Sequence, residues 1–141
     1  MLAIIALNTV VIATVVVIHY EFMYRFTLLM PRMKIRHRFR IVLGVFGALV
    51  AHAIEIWIFA LSFFWMHHAD GWGEFDGNFE GTLLDCVYFS FTTYTTLGFG
   101  DVVPHGELRY LTGLEALTGL LLITWTASFL YLEMTRYWDR D

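Results

Sequence analysis

Cysteine, proline and charge are all scarce in this chain of 141 residues. The lone Cys86 excludes an internal disulfide framework and any multi-cysteine metal site, and reads as a small apolar residue within a helix. Pro31 and Pro104 are the only prolines, so long helices meet few obligatory breaks. Charged residues make up 16%, too few to clothe a soluble domain in which 58% of residues are hydrophobic. No nucleophile–base set, cofactor loop or catalytic metal pattern is present, so the chain is expected not to be an enzyme. Residues 1–18 lack a positive leading segment and a small-residue cleavage site, so the first apolar run is expected to persist as a helix.

What the chain does have is three long apolar stretches, within 1–30, 41–66 and 107–134. Each is long enough to span a bilayer at ~1.5 Å per residue. The basic segment 31–40 separates the first two, with Arg32, Lys34, Arg36, Arg38 and Arg40 in nine positions. The loop 67–82 is acidic and glycine-rich, carrying Asp70, Glu74, Asp76 and Glu80, and residues 135–141 form a short tail. Eight of the nine Lys and Arg residues lie between Arg25 and Arg40 or after Met134. The excess of positive charge on cytoplasmic loops then puts the N-terminus and acidic loop outside, and the basic segment and C-terminus inside, a cell inner (plasma) membrane. Residues 32–40 are expected to contact anionic lipid headgroups, at about 1 kcal/mol per basic residue, and no nucleic acid.

One apolar segment, 83–95, is left over and is too short to cross. Non-helical backbone at membrane depth is tolerated only where it is buried in protein or lines a water-filled path, because each unsatisfied N–H or C=O there costs several kcal/mol. The topology therefore predicts a loop that enters and leaves from the outside.

The tip of that loop is Thr95-Thr96-Leu97-Gly98-Phe99-Gly100-Asp101. Carbonyls can all face one axis only if successive residues alternate in hand, and Gly98 and Gly100 supply left-handed positions without a Cβ penalty. A phosphate-binding glycine loop would instead expect a neighbouring Lys and a helix directly after it. This string closely resembles the pore signature T-x-G-[YF]-G-D of potassium channels, and the resemblance covers roughly residues 41–134. It implies an all-α membrane protein: three transmembrane helices plus a re-entrant pore helix and selectivity filter, assembled as a homotetramer around one pore. The module divides into outer helix 41–66, extracellular loop 67–82, pore helix 83–95, filter 96–100 and inner helix 107–134, behind an extra N-terminal helix.

By resemblance, Thr96, Leu97, Gly98, Phe99 and Gly100 form the ion sites, with the Thr96 hydroxyl at the inner end and Thr95 and Asp101 in support. Potassium would be the conducted ion, and the filter the only metal site, with no other cofactor. Asp101-Val102-Val103-Pro104 resembles the family's exit sequence, Arg109 matches a basic residue at the start of the inner helix, and Gly119 falls where a hinge glycine is common. Close helix packing is the other reading of Gly119. Gly119, Ile123, Ala127 and Tyr131 share one helix stripe and are candidates for the inner pore and gate. Two departures stand out: Phe99 replaces the commoner Tyr, and Tyr88 and Phe89 stand where a Trp pair is frequent. Tyr88 is expected to reach Asp101 instead and brace the filter.

Polar residues inside the spans form a last group: His19, Glu21, His52, Glu55 and Glu115. A hydrogen-bonded cluster between helices is one reading, and a proton or metal sensor coupled to the pore is the other. His52 and Glu55 share a helix face, but two candidate ligands make a weak metal signal. The alternatives to potassium conduction are a nonselective cation channel, for which Phe99 would be expected to be replaced, and a nonconducting pore-like sensor or accessory subunit.

Overall fold

The computed structural model describes residues 2–29, 32 and 36–138. In chain order these form α1 (Leu2–Leu29), α2 (His37–His68), β1 (Phe75–Gly77), α3 (Leu83–Tyr94), β2 (Val102–Pro104) and α4 (Leu108–Trp138). Among the described residues, three helices are long and apolar enough to cross a membrane, over Leu2–Leu29, Phe39–His68 and Leu108–Arg136. At ~1.5 Å per residue each exceeds a hydrocarbon thickness of ~30 Å. The fourth, α3, has 12 residues and lies among the others, packed on both α2 and α4.

The core sits where α3 wedges between α2 and α4. Phe59, Phe63 and Met66 of α2, Tyr94 of α3, and Leu108 and Leu111 of α4 are completely buried. Phe63 meets Phe89 and Phe75 edge-on at 5.2 and 5.7 Å between ring centroids, and Phe75 lies 4.7 Å from Phe89. Between helices in a bilayer, such close packing rather than exclusion of water holds the elements together. The N-terminal helix α1 contacts both α2 and α4. Its Phe22 fills the notch at Gly47, where an added Cβ would come within 2.9 Å of the ring.

Several boundaries differ from those expected. The second helix begins at His37 and runs to His68 rather than spanning 41–66, and the fourth continues to Trp138, into the expected tail. Both extensions carry arginine, which is a good helix former. Pro31 and residues 33–35, part of the basic segment expected to touch lipid, lie outside the described residues. The two strands were not anticipated. They pair antiparallel, Phe75 with Pro104 and Gly77 with Val102, and the pairing continues through His105 N–H to Glu74 O at 2.8 Å and Glu107 N–H to Trp72 O at 2.9 Å. The acidic loop is thereby fastened to the chain leaving residue 101.

Candidate ion-conduction site

The site is built from the start of α3. Thr82 caps it: its hydroxyl accepts from the Asp85 N–H at 3.2 Å, and Asp85 Oδ2 accepts from the Thr82 and Glu80 N–H groups at 3.0 and 3.1 Å. This reciprocal box satisfies amides that a helix start leaves unpaired. Burial pushes the Asp85 carboxyl up, but the donors from Thr82 and Glu80 outweigh it and hold it below the usual range.

The far end of α3 passes directly into the expected filter. A helix leaves its last carbonyls unpaired; here Phe91 O accepts from Thr95 N–H at 3.2 Å, Thr93 O from Thr96 N–H at 2.9 Å, and Thr92 O from Gly98 N–H at 3.0 Å. The Thr95 hydroxyl adds a bond to Phe91 O at 2.7 Å. Left-handed backbone then recurs at every second residue: Thr96 at φ 59°, Gly98 at 51° and Gly100 at 78°. The two glycines adopt this region freely, whereas β-branched Thr96 does so at about 1–2 kcal/mol. The glycine positions follow from the sequence; the left-handed Thr96 does not, since propensity argues against it.

Residues 95–100 are all exposed in the single chain, including the large side chains of Leu97 and Phe99. Behind them Tyr88 makes two contacts. Its hydroxyl donates to Asp101 Oδ2 at 2.9 Å, and its ring stacks on Phe99 at 6.4 Å between centroids and 5° between planes. The bond to Asp101 pushes the Tyr88 phenol above its usual range, so it remains a donor. The Asn78 N–H donates to Asp101 O at 2.8 Å.

The stripe on α4 is not uniform. Ile123, Ala127 and Tyr131 are exposed, whereas Gly119 is buried. A Cβ at Gly119 would lie 2.2 Å from the carbonyl oxygen of Tyr94. This glycine is where the inner helix lets the end of α3 come close, and α4 runs through it unbroken.

The five intramembrane polar residues fall into three groups. His19, His52 and Glu55 come together: Glu55 Oε1 lies 2.8 Å from His19 Nδ1, and Oε2 lies 3.0 Å from His52 Nδ1. Glu21 instead bonds Arg25 on the exposed face of α1, at 2.6 Å. Glu115 is fully buried and pairs with Ser90 of α3, whose hydroxyl also faces Ile56 O at 2.9 Å. Two residues that the sequence did not single out complete the first group. The Tyr94 hydroxyl donates to Glu55 Oε2, and Thr126 Oγ1 stands 3.1 Å from His52 Nε2 and 3.4 Å from His19 Nε2.

The family model described as "Ion channel" matches residues 49–136, from mid-α2 through the end of α4's membrane span. Among curated proteins, the inward rectifier potassium channel Kirbac3.1 of Paramagnetospirillum magnetotacticum is 40% identical over 57 residues, covering 40% of this chain and 19% of its own. Potassium channel protein kcv of Paramecium bursaria Chlorella virus 1 is 38% identical over 56 residues, covering 35% of this chain and 60% of its own. The chain thus spans less than two thirds of the length of either relative. No solved structure matches it. With the family model covering well over half of its residues, and with three helices able to cross a membrane flanking and preceding a short inserted helix, the chain belongs to the ion-channel family as a multi-pass membrane protein.

Proposed function

We propose that this chain is one subunit of a homotetrameric pore that conducts potassium passively and selectively. The observation that carries the reading is the alternation of left-handed backbone at Thr96, Gly98 and Gly100, directly after a short helix that does not span. That alternation is what a row of carbonyls facing one axis requires, and a cage of such carbonyls replaces the hydration shell of the ion. One chain supplies one strand of the cage, so several copies must surround the axis. Leu97 at 60% and Phe99 at 64% exposure leave apolar surface at the loop that neighbouring copies would cover. The two curated relatives, both called potassium channels, favour potassium as the ion.

In this reading Thr96 to Gly100 hold the ions, Tyr88, Thr95 and Asp101 brace them, and Ile123, Ala127 and Tyr131 line the inner pore. Gly119 acts as a packing contact beneath the filter. The N-terminus and acidic loop face outward, the C-terminus faces the cytoplasm, and the basic residues of 32–40 meet anionic headgroups. Potassium is the cargo, and conduction needs no other cofactor.

The test is ion flux from liposomes holding the purified protein, with sodium in place of potassium and with barium as blocker. Barium-sensitive flux favouring potassium is expected. Equal sodium and potassium flux would leave a nonselective cation channel, and no flux from a verified tetramer a nonconducting protein.

A further inference from the structure

We infer that His19, His52 and Glu55 form a binding site for a divalent transition cation of the zinc type, buried among the helices and separate from the filter. Two of these residues, on one face of α2, would be a weak signal. The fold adds His19 from α1, and one nitrogen or oxygen from each of the three residues lies within 4.8 Å of the others. His19 and Glu55 are fully buried, and His52 is 15% exposed. Two imidazoles and a carboxylate are a donor set that suits zinc, while calcium and magnesium favour oxygen alone. Donors around a four-coordinate zinc, at ~2.0–2.1 Å from the ion, are about 3.3 Å apart. His19 Nδ1 lies 2.8 Å from Glu55 Oε1 and His52 Nδ1 lies 3.0 Å from Glu55 Oε2, so side-chain rotation has to bring donors that now lie within 4.8 Å of one another to the tetrahedral spacing.

Hydrogen-bond accounting around the two rings leaves room for one positive charge, carried by a proton or by a metal ion. Both histidines turn Nδ1 toward Glu55 and Nε2 toward the single hydroxyl of Thr126. A neutral imidazole carries one N–H. If both Nδ1 atoms carry it, two bare Nε2 atoms compete for one hydroxyl hydrogen. If both Nε2 atoms carry it, they can share the Thr126 oxygen, but two bare Nδ1 atoms then face a carboxylate with nothing between. One extra proton shared by the two rings satisfies these contacts, and a metal ion held by both Nδ1 atoms and Glu55 does so as well. The metal ion also counters a buried negative charge and leaves both Nε2–H groups to donate to Thr126, the kind of outer partner that orients metal-binding histidines. The Tyr94 hydroxyl, 2.9 Å from His52 Nδ1, is turned into the same space and stands next to the open coordination position.

Access is through a cavity of about 420 Å³ between α2, α3 and α4, whose wall includes His52, Tyr94 and Thr126. A bound ion would clamp α1 to α2 and, through Tyr94, hold the end of the helix that carries residues 95–100. The site does not depend on which ion passes the filter.

The test is metal content and cobalt absorption of the full-length protein in detergent after chelation and re-addition of zinc or cobalt. One zinc per chain is expected, with the intense visible bands of four-coordinate cobalt and a melting temperature raised by zinc. His19→Ala and Glu55→Gln should abolish the stoichiometric site, and Thr126→Val should weaken it about 10–100-fold. If His19→Ala fails to fold, His19→Cys keeps a zinc donor and should add a thiolate-to-cobalt charge-transfer band. The inference is overturned if the wild-type protein binds no zinc. It is equally overturned if Glu55→Gln retains zinc that is lost only on replacing the surface residues His67 and His68. A cluster held by a shared proton would give the first of these results.

Discussion

The carbonyl oxygen of Tyr94 lies where a side chain on Gly119 would have to begin, 2.2 Å from a Cβ built there. Because the obstacle is backbone, no rotamer change relieves it. Gly119→Ala should therefore separate α4 from the end of α3 and lower the stability of the proposed tetramer by about 1–3 kcal/mol, with flux falling in parallel. Tetramer melting on gels and liposome flux check this. Wild-type values for both would show that the two helices have slack the structure does not suggest.

Tyr88 acts through its hydroxyl and its ring, and the two can be separated. Tyr88→Phe removes only the bond to Asp101 and should be seen as faster decay of current under sustained flux. Tyr88→Leu, which also removes the stack on Phe99, should decay faster still. Equal decay in all three proteins would mean that the bond at 2.9 Å has no part in holding the filter open.

The capping box should make the entry to α3 sensitive to acid. Asp85 is held below its ordinary range by the donors from Thr82 and Glu80, despite the opposing effect of burial. Its contribution is thus fully present above the unfolded value of about 4 and is lost as pH falls through the lower folded value. Asp85→Ala should be less stable by about 1 kcal/mol at neutral pH. The two proteins should converge on acidification, as followed by thermal melting across pH. A gap that widens at low pH would contradict the assignment.

Ser90 and Glu115 make a buried pair whose two halves should respond unequally. Without Glu115, the Ser90 hydroxyl keeps Ile56 O as acceptor at 2.9 Å; without Ser90, the carboxyl loses its partner, and its other oxygen already has none among the described residues. Ser90→Ala should cost about 1–3 kcal/mol, and Glu115→Gln much less. Adding Glu115→Leu to Ser90→Ala should restore part of the loss. A double-mutant cycle by thermal melting measures the coupling, and equal single effects with no coupling would count against it.

Much of the plan was legible in the residues because bilayer physics leaves few options. Three runs of spanning length, one run too short, and basic residues in two blocks point to a re-entrant loop before the glycines are considered. Gly98 and Gly100 then mark left-handed backbone through their missing Cβ. Thr96 escaped because nothing local makes a β-branched residue left-handed; the amides of Thr96 and Gly98 seeking the end of α3 do so. The strand pair escaped because three residues carry no readable period. His19 could be seen as polar and intramembrane, but not as a partner of Glu55, because 36 positions separate them and only the rotation of α1 against α2 brings them together. That rotation likewise sends Glu21 outward to Arg25, away from the cluster.

The bonds from Thr95, Thr96 and Gly98 back into the last turn of α3 have a consequence for how this region comes apart. Unravelling the loop uncaps the helix, and fraying the helix frees the loop, so neither opens by itself. Helix end and loop should exchange their amide hydrogens as a single cooperative block, with Thr96 and Gly98 as slow as the turn they close, although both lie exposed on the surface of the single chain.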